Sequence, residues 1–227
     1  MSMSENHYDW IKDIVAREGT ESLGLMVSGT WLRDPKRLAF VLSRYKFVAK
    51  LFEGFINVCE FGSADGWPSR IVKQSVENLY LVDFDQELLD FGKYRQNPNF
   101  DVEYVQQDLT QEFHSKLSFD GIYALDVLEH IDKKNEHTFM KNIVNNLSTN
   151  GISIVGIPSL EFQKFSYPDN GHVNCKSGEE LRKFMLNYFD RVLMFSMTDE
   201  VVHTGFMKMS PYLFAVGMYP KSLQQHS

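Results

Sequence analysis

The sequence lacks three features that mark large classes of protein. It contains only two cysteines, Cys59 and Cys175, in 227 residues, which is too few for a disulfide framework or a zinc site built from cysteine. No window approaches the ~20 consecutive apolar residues of a transmembrane helix, and residues 1–10 are too polar and acidic for a signal peptide. We therefore expect a cytoplasmic protein without a membrane span.

An excess of positive charge is also missing. The chain has 23 basic and 30 acidic residues and a formal net charge of −7, which argues against DNA or RNA as a partner. Residues 33–50 depart from this balance, because they carry a cluster of cations and only one acid, Asp34. The cluster predicts a small anionic ligand, and a solvated helix face is the alternative. Its cations are Arg33, Lys36, Arg37, Arg44, Lys46 and Lys50.

The chain has the size and composition of one globular domain. At 26.4 kDa, with 43% hydrophobic residues, it can bury a sizeable core. Residues 7–17 are predicted to form a helix, and residues 18–33, which are rich in Gly, Ser and Thr, a loop. Asp34-Pro35 is typical of a helix start, and apolar residues then recur at helical spacing as far as Phe52.

The middle of the chain alternates predicted strands and helices, which indicates an α/β fold with a parallel sheet covered on both faces. After a helix at 178–188, two extended runs lack a clear crossover helix between them, which predicts an antiparallel hairpin at the end of the sheet. The single domain, 1–227, divides into a helical lid, 1–53, and an α/β core, 54–227. The predicted strands are 55–61, 78–83, 102–106, 119–125 and 151–157, the helices are 67–75, 86–95 and 135–147, and the hairpin runs are 190–197 and 211–219.

The most informative stretch is Val-Cys-Glu-Phe-Gly-Ser-Ala-Asp-Gly at residues 58–66. An apolar strand leads into a carboxylate, Glu60, and then into a turn that contains Gly62 and Gly66. Glycine lets a backbone turn sharply and lets a ligand come close, and the N–H groups of a helix start follow. Because an anion is unfavourable beside a pyrophosphate, Glu60 favours a ligand that carries a cation or an amine.

These residues resemble the first motif of the class I S-adenosylmethionine-dependent methyltransferases. Asp83, Asp108 and Asp126, which stand at or just after the ends of the next three predicted strands, match later motifs of the same family. The resemblance is good over residues 50–160 and implies a Rossmann-like seven-stranded methyltransferase sheet, mostly parallel with an antiparallel C-terminal hairpin, behind an N-terminal helical lid. It implies S-adenosylmethionine as cofactor, with Glu60 near its amino end, Asp83 at the ribose and Asp108 at the adenine. The full set of implied cofactor-binding residues is Arg44, Glu60, Gly62, Ser63, Ala64, Gly66, Asp83, Phe84, Asp108, Leu109 and Asp126.

Three other interpretations stay open. An NAD-dependent Rossmann enzyme would also use Asp83 at a ribose, but its fingerprint requires glycine where the chain has Ala64 and Trp67. A non-catalytic cofactor-binding subunit is the second alternative, and the intact motifs argue against it. A protein or nucleic-acid methyltransferase is the third, and the acidic balance of the chain disfavours it.

Three histidines are candidates for the catalytic base. His172 and His203 lie in two predicted substrate-side insertions, 158–177 and 198–210, and His130 follows the fourth strand. A histidine has a suitable pKa for removing a proton from the acceptor. We favour His172 or His203, because the cofactor fold does not require the insertions, although each histidine could be structural. No carboxylate pattern near them fixes a metal site, so no metal ligand is assigned, and metal dependence stays open.

Segments 43–48, 171–175 and 200–206 are similar to bacterial methyltransferases encoded with surface-polysaccharide enzymes. The similarity implies methyl transfer to oxygen, or second to nitrogen, of a small anionic acceptor such as a sugar, a nucleotide-linked precursor or a phosphorylated metabolite. Arg33 and Arg37 are the candidate acceptor-binding residues. The oligomeric state is left open by the sequence, a homodimer included.

Overall fold

The computed structural model describes residues 8–97, 99–163 and 171–222, and its central feature is one sheet of eight strands. In chain order the strands are β1 (Asn57–Phe61), β2 (Asn78–Asp83), β3 (Glu103–Gln106), β4 (Phe119–Leu125), β5 (Leu147–Pro158), β6 (Phe189–Thr198), β7 (Val201–His203) and β8 (Tyr212–Pro220). They are hydrogen-bonded side by side in the order β3-β2-β1-β4-β5-β8-β6-β7. All five strands predicted in the middle of the chain are therefore present.

Strands β1 to β5 pair in parallel, and all of them except the edge strand β3 are largely buried. Every residue of β4 except Asp120 is buried, and so is every residue of β1 except Asn57. A parallel strand covered on both faces needs a nearly continuous apolar sequence, which is the pattern these strands show. Neighbouring side chains of β1, Val58 and Cys59, belong to two different hydrophobic clusters, one on each face of the sheet.

The C-terminal part of the sheet contains the predicted antiparallel hairpin and one strand more than predicted. β8 lies between β5 and β6 and runs antiparallel to both. The short strand β7 pairs with the end of β6, so the sheet has eight strands rather than the seven implied by the family resemblance. The sequence predicts 198–210 as an insertion, but the β-branched Val201 and Val202 within it favour a strand and extend the hairpin by this pairing.

Helices cover the sheet on both faces, and their bounds correct one prediction. Residues 18–33 are not all loop, because their second half, Leu25–Arg33, is helical. None of the described helices is long and apolar enough to cross a membrane. Of the predicted insertion 158–177, residues 164–170 lie outside the described part of the chain. The described helices are α1 (Asp9–Glu18), α2 (Leu25–Arg33), α3 (Pro35–Leu51), α4 (Arg70–Lys73), α5 (Gln86–Tyr94), α6 (Glu136–Asn146), α7 (Leu160–Gln163) and α8 (Gly178–Met185).

The start of α2 is fastened to the turn after β1. Its N-cap residue, Gly24, has no side chain to cap the helix, and the carboxylate of Asp65 instead accepts a hydrogen bond from the backbone N–H of Met26, at 3.3 Å. Nearby, Arg70 forms an ion pair of 2.6 Å with Glu21. The N-terminal segment is therefore held beside the turn that the sequence assigns to the cofactor.

Helix α3 links the N-terminal segment to the core. Pro35 occupies its first turn, as predicted, although the Asp34 side chain makes no capping hydrogen bond. Its buried face packs on the sheet through Tyr45 and Val48 and contributes to the core. The same face carries Arg44, whose charged end reaches the edge of the sheet where the parallel strands end.

Candidate active site

The turn after β1 is tightly constrained. Gly62, Ala64 and Gly66 adopt left-handed backbone conformations, with φ of 80°, 49° and 67°. The amides of Gly62 and Ser63 both donate to the carbonyl oxygen of Val82, at 2.7 and 3.1 Å, which holds the turn against the end of β2. A non-glycine residue in this conformation, here Ala64, costs on the order of 1–2 kcal/mol. Such strain is commonly found at ligand-binding sites.

The two glycines of this turn are required by the chain itself. A Cβ added to Gly62 would lie 2.3 Å from Cγ2 of Val127, and one added to Gly66 would lie 2.5 Å from Cδ1 of Leu81. Their positive φ angles also favour glycine. The sequence predicts that these glycines admit a ligand, whereas in the structure the space beside them is filled by Val127 and Leu81. Turn geometry and packing are therefore sufficient to explain both.

Glu60 lies at the end of β1 and is fully buried. Its Oε1 accepts a hydrogen bond from the hydroxyl of Tyr45 at 3.1 Å, and its Oε2 accepts from the hydroxyls of Tyr123, at 2.6 Å, and Ser69. Burial raises the pKa of Glu60 to about 7, although these three hydrogen bonds lower it. Both oxygens are engaged within the protein, and contact between Glu60 and the amino end of the cofactor stays a prediction.

The raised pKa of Glu60 predicts a pH-dependent stability that Glu60→Gln should remove. The folded protein holds this proton more tightly than the unfolded chain, so the free energy of unfolding should fall as pH rises from about 4.5 to about 7. The fall attributable to Glu60 is about 3 kcal/mol. Denaturant unfolding of wild type and Glu60→Gln at several pH values measures this contribution. The difference between the two proteins isolates Glu60, because they share all other titrating groups. Parallel pH curves for wild type and variant would contradict the assignment.

Asp83, at the end of β2, is connected to the turn after β1. It is 6% exposed, and its two oxygens accept hydrogen bonds from the backbone N–H groups of Ala64, at 2.8 Å, and Asp85, at 3.0 Å. The neighbouring Phe84 is 71% exposed, so its ring is available to a planar ligand beside the carboxylate. The position of these two residues suits the ribose and base of a nucleoside, and their contact with the cofactor stays a prediction.

Asp108 and Leu109 follow the end of β3, the strand beside β2. The Asp108 side chain is exposed, and its Oδ1 accepts hydrogen bonds from the hydroxyl and the backbone N–H of Thr110, at 2.7 and 2.9 Å. These bonds lower the pKa of Asp108, so the carboxylate is ionised at neutral pH. Leu109 is buried in the core. The predicted adenine contact thus has an accessible acceptor in Asp108.

Arg44 and Asp126 form an ion pair at the end of β4. The Arg44 side chain is 3% exposed, and its guanidinium carbon lies 3.9 Å from the centre of the Tyr212 ring and 4.6 Å from that of Phe40. A buried cation needs a counter-ion, and Asp126 supplies it. The sequence assigns both residues to the cofactor. The structure shows that they bind each other, and a further contact of either with the cofactor stays a prediction.

A cavity of about 880 Å³ opens beside this ion pair, within the size range of small-molecule sites. Helix α3 contributes Lys36 and Arg37 to its lining, and the turn between β6 and β7 contributes Asp199 and Glu200. The cavity therefore offers both signs of charge. Of the two arginines predicted to bind the acceptor, Arg37 lines the cavity and Arg33 does not.

The three candidate histidines separate into a pair and a single residue. The rings of His130 and His172 meet edge to face, with centres 4.8 Å apart, and His172 lines the cavity. His203 lies on β7, where its ring nitrogens bond to the hydroxyls of Ser196, at 3.1 Å, and Thr198, at 3.3 Å. The structure thus brings two of the predicted residues together and holds the third within the hairpin.

Glu129 is absent from the residues predicted from the sequence, yet it lies beside both paired histidines. One potential ligand atom from each of Glu129, His130 and His172 lies within 4.8 Å of the others. Glu129 is fully buried, and burial, reinforced by the charge of Asp126, raises its pKa. The sequence signal was its position directly before His130, but a carboxylate in an apolar run gives no sign of where it points.

The side chains at this edge of the sheet fit S-adenosylmethionine. The Asp83 carboxylate suits ribose hydroxyls, the exposed Phe84 ring suits stacking on adenine, and the Asp108 carboxylate can accept from an amino group. These residues follow the ends of β2 and β3, beside the strained turn after β1, and ligands of open α/β sheets bind at such carboxyl ends.

Solved structures similar to this chain include methyltransferases. An S-adenosylmethionine-dependent methyltransferase from Thermotoga maritima superposes with a TM-score of 0.68 at 18% identity, over 86% of this chain and 94% of that one. N-methyltransferase NodS from Bradyrhizobium japonicum, in complex with S-adenosylhomocysteine, gives 0.61 at 15%, over 84% and 91%. The methyltransferase domain of bacterial CtHen1-C gives 0.63 at 17%, over 79% and 98%. At these identities the likeness establishes the fold.

Sequence comparison adds the family of the central segment. No curated protein sequence matches the chain, whereas the family model described as Methyltransferase domain matches residues 59–155. The matched segment runs from β1 to β5 and includes the turn, Asp83, Asp108 and Asp126. Residues 59–155 are therefore similar to a methyltransferase domain, and the structural neighbour NodS binds S-adenosylhomocysteine.

Proposed function

We propose that this chain methylates an oxygen, or alternatively a nitrogen, of a small acceptor that carries an anionic group. The observation that carries the proposal is the cavity of about 880 Å³, which places Lys36 and Arg37 beside the end of β4. Neither cation has an ion-pair partner among the described residues. A phosphate or carboxylate of the acceptor would be a suitable partner for them.

The opposite charges of the cavity narrow the class of acceptor. Asp199 and Glu200 are exposed carboxylates on the turn between β6 and β7, and carboxylates accept hydrogen bonds from hydroxyl or amino groups. A sugar, a nucleotide-linked precursor or a phosphorylated metabolite of surface-glycan biosynthesis combines hydroxyls with an anionic group. The sequence-based prediction that segments 43–48, 171–175 and 200–206 resemble methyltransferases of that process belongs to this proposal. NodS is an N-methyltransferase, which keeps nitrogen as the alternative acceptor atom.

The chain's part in the reaction is to position the acceptor and to remove its proton. S-adenosylmethionine, when bound, supplies a methyl group on a positively charged sulfur. Lys36 and Arg37 would hold the anionic end of the acceptor, and the lid segment would limit access of water. His172, at the lining of the cavity, is the candidate group for taking the proton. Its pKa is lowered, first by burial and then by His130, so the ring is neutral at neutral pH.

Arg37→Lys tests the anionic acceptor. A guanidinium binds a phosphate or carboxylate through two parallel hydrogen bonds, and lysine cannot reproduce this geometry. Once an acceptor has been found by the release of S-adenosylhomocysteine from a panel of phosphorylated and unphosphorylated sugars, Arg37→Lys should raise its KM roughly tenfold. The exposed Arg33, outside the cavity lining, provides the matched control Arg33→Lys, whose KM should equal that of wild type. Equal KM values in both variants, or turnover of only uncharged acceptors, would contradict the proposal.

A further inference from the structure

We propose that Glu129, His130 and His172 bind a divalent transition metal ion, with Zn²⁺ favoured. The three residues offer one ligand atom each, and these atoms lie within 4.8 Å of one another. Two imidazoles and one carboxylate are a common set of protein ligands for zinc. The sequence assigns no metal ligands, because no carboxylate pattern is visible beside the histidines, and it leaves metal dependence open.

The hydrogen bonds of both histidines direct the same ring nitrogen toward a ligand role. Nδ1 of His130 donates to the carbonyl oxygen of Gly171, at 3.1 Å, and Nδ1 of His172 donates to Oε1 of Gln163, at 2.8 Å. In a neutral imidazole the other nitrogen, Nε2, then carries the lone pair. Histidines that bind metals usually donate their second ring N–H to a carbonyl or carboxylate in this way.

Glu129 supplies a second and independent observation. Its side chain is fully buried, and neither carboxylate oxygen has a hydrogen-bond partner among the described residues. An unpartnered buried carboxylate is costly, and the nearby cation, Arg44, is paired with Asp126 instead. A metal ion bound between Glu129 and the two histidines would compensate the buried negative charge of the Glu129 carboxylate.

The backbone of Glu129 also holds His172 in place. Its carbonyl oxygen accepts hydrogen bonds from the N–H groups of Val173, at 2.8 Å, and Asn174, at 3.0 Å. Gly171, at φ 73°, provides the left-handed turn before His172. The loop that carries one ligand is thus bonded to the turn that carries the other two, so the site is formed before a metal arrives.

The type and number of ligands indicate both the metal and its use. Imidazole favours transition metals such as zinc, whereas Mg²⁺ and Ca²⁺ prefer an all-oxygen shell. Three protein ligands leave at least one open position, and His172 also lines the cavity. A divalent ion here would lower the pKa of an acceptor hydroxyl that coordinates it. This catalytic use of the metal rests on the proposed function, and in it His172 acts as a metal ligand rather than as the base. Metal binding itself does not depend on the proposed function.

Metal titration of the full-length protein, without cofactor or acceptor, tests the site. After removal of metals with a chelator, wild type should bind about one equivalent of Zn²⁺ by calorimetry, and Mg²⁺ should not compete. Glu129→Gln and His172→Ala should each weaken Zn²⁺ binding more than ~10-fold. The exposed His114 gives the control His114→Gln, which should bind zinc as wild type does. Glu129→Gln keeps the size and shape of a side chain that has no hydrogen bond among the described residues, and it leaves the backbone hydrogen bonds of residue 129 in place, so its fold should persist.

Three results would overturn the proposal: no saturable binding of Zn²⁺ by wild type, equal binding by all three variants, or tighter binding of Mg²⁺ than of Zn²⁺. Binding of S-adenosylhomocysteine by the same chelated protein separates the two proposals. Cofactor binding with no zinc binding contradicts the metal site alone. Zinc binding with no methyl transfer to any anionic acceptor contradicts the proposed function alone.

Discussion

Replacing His172 by glutamine should lower turnover by about 10²–10⁴, the usual contribution of proton removal by a positioned side chain. The lone pair of Nε2 is needed whether the ring takes the acceptor's proton or binds a metal ion that makes the proton easier to remove, and glutamine has no equivalent. Affinity for S-adenosylhomocysteine should not change, because every predicted cofactor residue except Arg44 lies at the ends of β1 to β4, outside the cavity lining that contains His172. Steady-state rates at saturating substrates and calorimetry measure the two quantities.

His203→Gln is the comparison for this prediction. Its ring nitrogens bond to Ser196 and Thr198 within the hairpin, so we expect a lower melting temperature and a smaller loss of turnover than in His172→Gln. Near-wild-type turnover of His172→Gln, His203→Gln and His130→Gln would together show that catalysis is by alignment of the substrates alone. A larger loss of turnover in His203→Gln than in His172→Gln would indicate that His203, in the hairpin, is the base.

Replacing Asp83 by alanine should weaken cofactor binding by at least tenfold. The expected loss is the charge-assisted hydrogen bonds to the ribose hydroxyls, each worth roughly 1.5–3 kcal/mol. The structure adds a second consequence, because Asp83 also accepts hydrogen bonds from the N–H groups of Ala64 and Asp85. Melting temperature should therefore fall as well, while the circular dichroism spectrum stays native. Calorimetric titration with S-adenosylhomocysteine measures the affinity.

Asp85→Ala is the matched control for Asp83→Ala, since it removes a carboxylate two residues away. Asp85 caps α5 by accepting from the N–H groups of Glu87 and Leu88, and loss of such a cap costs ~1 kcal/mol. Its melting temperature should fall and its cofactor affinity should not. Equal affinity in the two variants would place Asp83 outside the ribose site.

The α/β class, the five parallel strands and the antiparallel hairpin could all be predicted from the amino-acid sequence. These strands could be predicted because burial on both faces requires continuous apolar runs, a pattern that is local in the sequence. The motif residues could be located from the ends of these predicted strands. Glu60, Asp83, Asp108 and Asp126 each stand at or just after the end of a predicted strand, and the ends of parallel strands meet at one edge of the sheet.

Which of these side chains remain accessible depends on the packing of the folded chain and could not be predicted from the sequence. Glu60 is enclosed by three hydroxyls, one of them from Tyr45 of α3, whereas Phe84 stays exposed. Arg44 is bound to Asp126, 82 residues further along the chain. Contacts between residues so distant in sequence depend on how helices and strands pack, which no local pattern records.

The same limit applies to α2 and to the histidine cluster. Helix α2 was not predicted because its composition favours a loop and its capping carboxylate, Asp65, lies in another element. The pairing of His130 with His172, and their meeting with Glu129, depends on backbone hydrogen bonds from the loop after β5 to the turn after β4. Sequence supplied the residue types, but the distances between their ligand atoms follow from the packing of segments about 40 residues apart, which is why only the tertiary structure brought the proposed metal site into view.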